Sequence, residues 1–204
     1  MIKNYFITVF IILLLSNCAS YHHANESMKT YQSFQDYQTT MSQFFHWEIQ
    51  GKIAFLQKNK RQSANIFWNK NEQTQNQTLN LTTYLGINVL TLSSHDEQHT
   101  LKTNGQIYNT QNISSLIQEI TNYQLPIEAL SSWLKGLPYS NNDIVKINPT
   151  SFLPIQISTH YEGEVWKVYY QKYQTFEGYQ LPSQLMIKQN DFTLKIMIHQ
   201  WTRL

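Results

Sequence analysis

The sequence predicts an α+β protein in which helices cover one side or one end of an antiparallel sheet. Two observations support this fold class: segments of strand-like pattern follow one another with short turns between them, and three amphipathic helical patterns lie outside these runs. Consecutive strands with short connections pair antiparallel, because a parallel pair needs a long crossover. The pattern corresponds to about ten or eleven strands and three helices.

The helices are predicted from apolar residues at three- and four-residue intervals. The first carries the stripe Tyr31, Phe34, Tyr37, Met41 and Phe44. The second begins at Asn112 as the N-cap and turns inward Ile113, Leu116, Ile117 and Ile120. The third begins near Pro126, since proline is favoured in the first turn, and ends at Gly136 before Pro138.

The strands are predicted from apolar residues at every second position. In the first, HWEIQGKIAF at 46–55, one face carries Trp47, Ile49, Ile53 and Phe55. The later segments are, in chain order, SANIFWNK, TLNLTTY, INVLTLSS, HTLKTNGQIYN, DIVKI, PIQISTHY, VWKVYYQKY, SQLMIKQ and FTLKIMIHQW. Turn residues connect several of them, with Asn104-Gly105 as the strongest hairpin signal and Glu162-Gly163 and Asn190-Asp191 as further turns.

The N-terminal segment has the features of a bacterial export signal. Its apolar run, Tyr5 to Leu15, is shorter than the roughly 20 residues that span a bilayer and fits the centre of a secretory signal. Leu15-Ser16-Asn17-Cys18 resembles the lipobox that precedes lipid attachment, with Asn17 where Gly or Ala is usual. Cys18 is the sole cysteine, so an intrachain disulfide is excluded and a lipid-attachment role is predicted.

These features divide the chain into three parts. Residues 1–17 are predicted to be a removed signal peptide, residues 18–30 a lipidated polar tether, and residues 31–204 one domain with enough chain for a core. The alternative for the first part is an ordinary signal peptide with a cysteine there by chance.

Composition excludes some functions and motifs argue against others. The formal net charge is only +2, and nothing in the sequence suggests the extended basic surface that a nucleic-acid binder needs, so such a function is not expected. There is no glycine-rich phosphate loop, nucleophile elbow or zinc-protease helix. His95 and His99 bracket a hairpin turn, where their spacing does not aim both imidazoles at one metal ion. No catalytic residue, metal site or cofactor is predicted.

One hairpin turn carries an unusual residue. In LTTYLGINVL two predicted strands meet at Tyr84, Leu85 and Gly86, so a large aliphatic side chain stands where turns usually have polar residues. Leu85 either folds back onto its neighbours or remains exposed for an apolar partner, which is a bilayer or another protein's cavity.

Several local motifs are distributed along nearly the whole chain: the strand at 51–55, IFW at 66–68, LG at 85–86, SSWLKGLP at 131–138 and VWKVYYQKY at 165–173, together with the lipobox. These motifs resemble the LolB family of outer-membrane lipoproteins. The resemblance implies an incomplete antiparallel β-barrel with a helical lid over an apolar cavity. It also implies that Leu85 is the protruding leucine needed for membrane insertion, on a turn where Tyr84 replaces the proline common in relatives.

The resemblance further implies a function based on binding and transfer. A monomer anchored through Cys18 at the periplasmic face of the outer membrane of a Gram-negative bacterium would accept triacylated lipoproteins from the carrier LolA and insert them among outer-membrane lipids. The residues expected to form the acyl-chain cavity are Ile53, Phe55, Ile66, Trp68, Leu81, Trp133 and Trp166.

Three alternatives stay open at this point. The same seven residues fit a filled core equally well, because both arrangements need large apolar side chains on the sheet and the helix. A filled core would suit a lipoprotein that only scaffolds envelope proteins. A lipid-modifying hydrolase would instead place a nucleophile and a base in the cavity.

Overall fold

A computed structural model describes residues 28–121 and 125–204. Within these residues eleven antiparallel strands form one sheet with three helices. The strands are β1 (His46–Gln57), β2 (Lys60–Asn71), β3 (Asn76–Thr82), β4 (Asn88–His95), β5 (Gln98–Thr103), β6 (Gln106–Thr110), β7 (Ile144–Ile147), β8 (Pro154–Tyr161), β9 (Glu164–Phe176), β10 (Tyr179–Gln189) and β11 (Phe192–Arg203). The predicted fold class is confirmed.

Two meanders make up the sheet. Its order is β6-β5-β4-β3-β2-β1-β11-β10-β9-β8-β7, so β1 and β11 pair in the middle and β6 and β7 are the edges. Between the edges the chain forms the helices α2 (Ile113–Thr121) and α3 (Ile127–Leu134). Because this connection starts at one edge and ends at the other, the helices span the open side of an incomplete barrel.

The first helix, α1 (Phe34–Ser42), is shorter than its apolar stripe. Ser33 is the N-cap and its side chain accepts a hydrogen bond from the backbone N–H of Asp36, at 3.1 Å. Because this cap starts the helix after residue 33, Tyr31 lies before it, and Phe44 lies after the C-cap Gln43, although both are buried.

The other two helices begin and end at the predicted signals. The side chain of Asn112 accepts a hydrogen bond from the backbone N–H of Ser115, which confirms the N-cap of α2. Pro126 precedes α3, and after it Gly136 has a positive φ of +73°. A Cβ at Gly136 would lie 2.6 Å from the Tyr37 hydroxyl oxygen, so glycine is required there both for the turn and for the contact with α1.

Aromatic side chains fill one part of the interior. We call this cluster the aromatic core, and its members are Phe44, Trp47, Trp68, Tyr179 and Trp201. The ring of Trp47 lies 5.4 Å from that of Trp68 and 5.7 Å from that of Trp201, both edge to face. Such pairs stabilise a core beyond the area that they bury.

Candidate functional site

A cavity of about 500 Å³ lies between the sheet and the helices α2 and α3. Its lining is mainly aliphatic: Ile53, Ala64, Ile66, Leu79, Leu81, Leu90, Ile117, Ile120, Leu125, Ile127, Leu130, Leu194 and Ile196 are joined by Phe55 and Trp68. The volume falls within the range of about 300–1,000 Å³ that is usual for sites of small ligands.

Five of the seven residues predicted for the acyl-chain cavity line this space: Ile53, Phe55, Ile66, Trp68 and Leu81. They come from β1, β2 and β3, which are neighbours in the sheet. Alternation along each strand puts these side chains on one face, which is why the pattern could identify them.

Trp133 and Trp166 are not among the residues that line the cavity. Both are fully buried, and their ring centroids lie 6.2 Å apart. The ring of Trp166 also contacts that of Phe192, at 6.2 Å between centroids. These two tryptophans, which were predicted to line the acyl-chain cavity, are buried and pack against each other instead of lining the space under the helices.

The mouth of the cavity is at one end of the barrel, where β1, β3 and β5 end and β2, β4 and β6 begin. The lining residues that are exposed to solvent are Gln62, Ser63, Val89 and Asn104. They lie near the start of β2, near the start of β4 and in the turn after β5. The lining therefore changes from apolar in the interior to partly polar at the mouth.

The hairpin between β3 and β4 projects from the same end of the barrel. Tyr84 and Leu85 at its tip are 88% and 81% exposed, and Ile87 is 63% exposed. Val89, the next residue of this hairpin on the cavity side, belongs to the mouth. Leu85 thus does not fold back onto its neighbours, and the tip presents three large apolar side chains to solvent.

Thr83 holds this tip in a defined conformation. Its backbone N–H donates to the carbonyl of Ile87 at 2.8 Å, and its carbonyl accepts from the N–H of Gly86 at 3.0 Å. Its hydroxyl oxygen accepts from the N–H of Ile87 at 3.1 Å. Gly86 has a φ of +81°, which a residue without a Cβ adopts at little cost. The exposed side chains are therefore displayed on a hydrogen-bonded turn.

A buried ion pair ties the end of α3 to the sheet. The carboxylate of Glu72, just after β2, accepts a hydrogen bond from Nζ of Lys135 at 2.6 Å and one from Nε1 of Trp47 at 3.0 Å. Burial lowers the pKa of Lys135, although the nearby Glu72 carboxylate opposes that change. The ion pair between Glu72 and Lys135 therefore fixes the C-terminal end of α3 to the end of β2.

A second buried lysine contacts the same helix. Nζ of Lys70 donates to the hydroxyl of Ser131 on α3, at 3.2 Å. Burial lowers the pKa of Lys70 as well. Sequence reasoning missed Lys70, Glu72 and Lys135, but one signal was present: Lys70 is two residues after Trp68 and so lies on the inward face of β2.

Comparison with known proteins identifies the family of this chain. Residues 45–201 match the family model described as outer membrane lipoprotein LolB. The chain belongs to the LolB family. The matched region contains the cavity-lining strands, α2, α3 and the apolar tip.

Curated relatives agree with this assignment. Over 200 residues the chain is 32% identical to the outer-membrane lipoprotein LolB of Vibrio cholerae, with 95% of this chain and 93% of the relative covered. The LolB of Shewanella frigidimarina is 34% identical over 163 residues, which cover 80% of this chain and 79% of the relative. The LolB of Pseudoalteromonas translucida is 28% identical over 201 residues, with 98% and 95% covered.

Solved structures share the fold at low sequence identity. A LolA superfamily protein from Nitrosomonas europaea has a TM-score of 0.56 and 7% identity, with 84% of this chain and 94% of that chain covered. A putative outer membrane lipoprotein-sorting protein domain from Vibrio parahaemolyticus has a TM-score of 0.55 and 9% identity, with 83% and 91% covered.

The predicted lipidation site Cys18 and the signal peptide at 1–17 lie outside the described residues. Within those residues no helix is both long and apolar enough to cross a bilayer.

Proposed function

We propose that this protein is an outer-membrane lipoprotein receptor that accepts other lipoproteins by taking up an acyl chain and then inserts them into the outer membrane. The observation that carries the proposal is the apolar cavity whose mouth opens beside an exposed apolar tip. Membership of the LolB family supports it. The proposed donor is the periplasmic carrier LolA and the proposed cargo is a triacylated lipoprotein.

The cavity is large enough for a fatty chain. If a methylene group takes up about the 30 Å³ of a water molecule in the liquid, 500 Å³ corresponds to on the order of 15 methylenes. Burying acyl chains stabilises them by about 0.8 kcal/mol per methylene. Such a host makes transport through water feasible, and transfer proceeds when the next host binds the chain more favourably.

The tip provides the contact with that next host. Tyr84, Leu85 and Ile87 are all on the turn beside the mouth, so a chain that leaves the cavity passes close to the side chains that enter the bilayer. Burial of a leucine side chain in an apolar environment stabilises it by about 1.5–3 kcal/mol. Leu85 is therefore proposed to lead the insertion step.

We propose that the protein acts by binding and transfer rather than by covalent catalysis. None of the described residues that line the cavity carries a carboxylate, an amine, a guanidinium or an imidazole. A hydrolase would need a nucleophile with a base beside it, and these lining residues offer no base. The cavity also disfavours the scaffold alternative, which predicts a filled interior.

The anchor completes the proposal. Lipid attached to Cys18 would hold the protein at the periplasmic face of the outer membrane, and residues 19–30 would serve as its tether. The domain is proposed to work there as a monomer, so that one cavity and one tip belong to the same molecule.

The test separates acceptance from insertion. In Leu85→Glu, we expect a fluorescent fatty acid to bind within twofold of the unmodified protein, because Leu85 does not line the cavity. Transfer of a triacylated lipoprotein into liposomes should become roughly 10- to 100-fold slower, since about 1.5–3 kcal/mol of tip burial is lost.

The matched control is Ile155→Glu. Ile155 is 46% exposed at the start of β8, which is at the opposite end of the barrel from the tip. This variant should transfer cargo at the normal rate. Unchanged transfer by Leu85→Glu, or equal slowing by both variants, would contradict the insertion role, and absence of fatty-acid binding to the unmodified protein would contradict the acceptor role.

A further inference from the structure

The turn between β1 and β2 and the first two residues of β2 concentrate positive charge, and we call residues 58–61 the basic turn. Lys58, Lys60 and Arg61 are exposed within four consecutive residues. Among the described residues the one recorded ion pair that involves them joins Nζ of Lys58 to Oδ2 of Asp191, at 3.9 Å between two largely exposed side chains. A contact of this kind contributes little, so the three cations remain available to a partner.

This basic turn lies at the same end of the barrel as the apolar tip. Strands β1 and β3 are both antiparallel to β2, which lies between them, so they run in the same direction and finish at the same end of the barrel. The basic turn follows β1 and the tip follows β3. The side-chain amide of Asn65 on β2 also donates to the carbonyl of Thr83, at 3.1 Å, which joins the two hairpins directly.

The basic turn also borders the mouth of the cavity. Gln62 and Ser63, the residues that follow Arg61, are part of the lining. Lys60 is two residues before Gln62 in the same strand and therefore lies on the same face. One end of the barrel thus combines the mouth, three exposed apolar side chains and three cations.

A bilayer surface with anionic lipids matches this combination. Hydrocarbon covers the apolar side chains of the tip while phosphate groups at the surface attract the cations. A single apolar insertion gives weak membrane binding, whereas an apolar group together with basic residues gives stable binding. Each lysine or arginine near an anionic surface strengthens binding by roughly fivefold.

We infer that the turn formed by Lys58, Lys60 and Arg61 is a binding site for anionic phospholipid headgroups that docks the mouth of the cavity on the membrane. The inference rests on the proposed function, because it assigns a second membrane contact to the end of the barrel that carries the mouth and the tip. It adds the class of lipid that this end recognises and predicts that docking depends on lipid charge and on salt.

The experiment measures binding of the Cys18→Ala protein, which lacks the proposed lipid anchor, to vesicles without any cargo. The vesicles consist of phosphatidylethanolamine and phosphatidylcholine, with or without phosphatidylglycerol, at low and high salt. The variant Lys58→Gln/Lys60→Gln/Arg61→Gln should bind the phosphatidylglycerol vesicles on the order of 100-fold more weakly, which corresponds to about 3 kcal/mol for the three removed charges. Binding to the uncharged vesicles should not change.

The control removes the same charge elsewhere on the sheet. Lys52, Lys146 and Lys172 are exposed in β1, β7 and β9, and their triple replacement by glutamine should leave vesicle binding within about twofold. Equal loss in both triple variants, or no loss in the turn variant, would overturn the inference. It would also be overturned if the turn variant bound vesicles normally but took up less cargo from a carrier protein, since the turn would then be a protein-docking site.

The two proposals fail separately. Fatty-acid binding tests the acceptor role in solution and does not require the basic turn. If fatty acid does not bind while the turn variant still loses affinity for phosphatidylglycerol vesicles, the proposed function is wrong and the lipid site is retained.

Discussion

The aromatic core and the cavity are two regions of one interior that are packed in opposite ways. In the aromatic core, rings meet edge to face, as when Phe44 lies 5.9 Å from Trp201. The cavity is lined mainly by branched aliphatic side chains that leave about 500 Å³ between sheet and helices. Trp68 belongs to both regions, because it packs on Trp47 and lines the cavity.

This difference shows how stability and an unfilled space coexist in one domain. Close-packed rings around the central β1–β11 pair supply dense contacts where the two meanders join. A cavity forgoes such contacts along its walls, at a cost that grows with its volume. We therefore expect substitutions in the two regions to change stability and ligand binding in opposite proportions.

The largest expected effect is the removal of a ring from the aromatic core. Trp201→Ala should lower the free energy of unfolding by about 3–5 kcal/mol, because it creates a void and also removes the hydrogen bond from Nε1 to the carbonyl of Pro182. Urea denaturation measures this loss. Leu81→Ala, on the half-buried cavity wall, is the control and should cost less than half as much; equal losses would contradict the contrast between the regions.

A smaller effect is expected from enlarging two alanines. Ala129 on α3 is fully buried and does not line the cavity, so Ala129→Phe should overpack the interior and destabilise the protein by about 1–3 kcal/mol. Ala64 lines the cavity, so Ala64→Phe has space for its ring and should change stability by less than about 1 kcal/mol.

The same pair should respond inversely in a binding assay. Ala64→Phe should weaken the binding of a fluorescent fatty acid at least tenfold by filling the cavity, whereas the folded fraction of Ala129→Phe should retain it. Normal fatty-acid binding to Ala64→Phe would show that the cavity is not the acyl-chain site.

The smallest effect per group is expected from alkaline pH. Burial raises the pKa of Tyr37 and Tyr170 well above the usual value of 10.0, and the pKa of Tyr161 is raised to about 12, mainly by burial. Groups with a raised folded pKa stabilise fully below the unfolded value and lose that contribution as pH rises towards the folded one. The free energy of unfolding should thus fall above pH 10, by at most about 1.4 kcal/mol per tyrosine and pH unit.

The two buried lysines that contact α3 and its C-terminal end act in the opposite direction at lower pH. Because burial lowers the pKa of Lys70 and Lys135, their contribution to stability rises with pH until the pH passes the unfolded-state pKa of 10.5. Denaturation measured about one pH unit above this value therefore isolates the tyrosines. Tyr170→Phe should reduce the slope there, and an unchanged slope would exclude Tyr170 as a contributor.

Much of the fold was predictable because it follows from local patterns. Alternation identified the strands, Asn112 and Gly136 located helix ends, and the five predicted wall residues followed from strand faces. The depth of a side chain was not predictable, because alternation gives its face but not its neighbours across the interior. Trp133 and Trp166 illustrate this limit, since they point inward but pack in the filled part.

The mouth end of the barrel was only half predictable for a related reason. Leu85 was found because a leucine in a turn is unusual, but Ile87 and Val89 looked like ordinary strand residues. The three cations of the basic turn are neighbours in the sequence, but their position beside the tip depends on the strand order, which no local pattern gives. Likewise, the pairing of Glu72 with Lys135 joins residues 63 positions apart, which no local window contains.

The pairing of β1 with β11 determines when the sheet can be completed. On the side away from β2, residues 46–57 pair with residues 192–203, so during synthesis the first meander keeps an unpaired central edge until β11 has emerged. An exposed strand edge invites pairing with other chains. The nascent protein consequently needs protection from aggregation until its last strand arrives, and a loss of residues 192–203 would leave two half-sheets with no way to join.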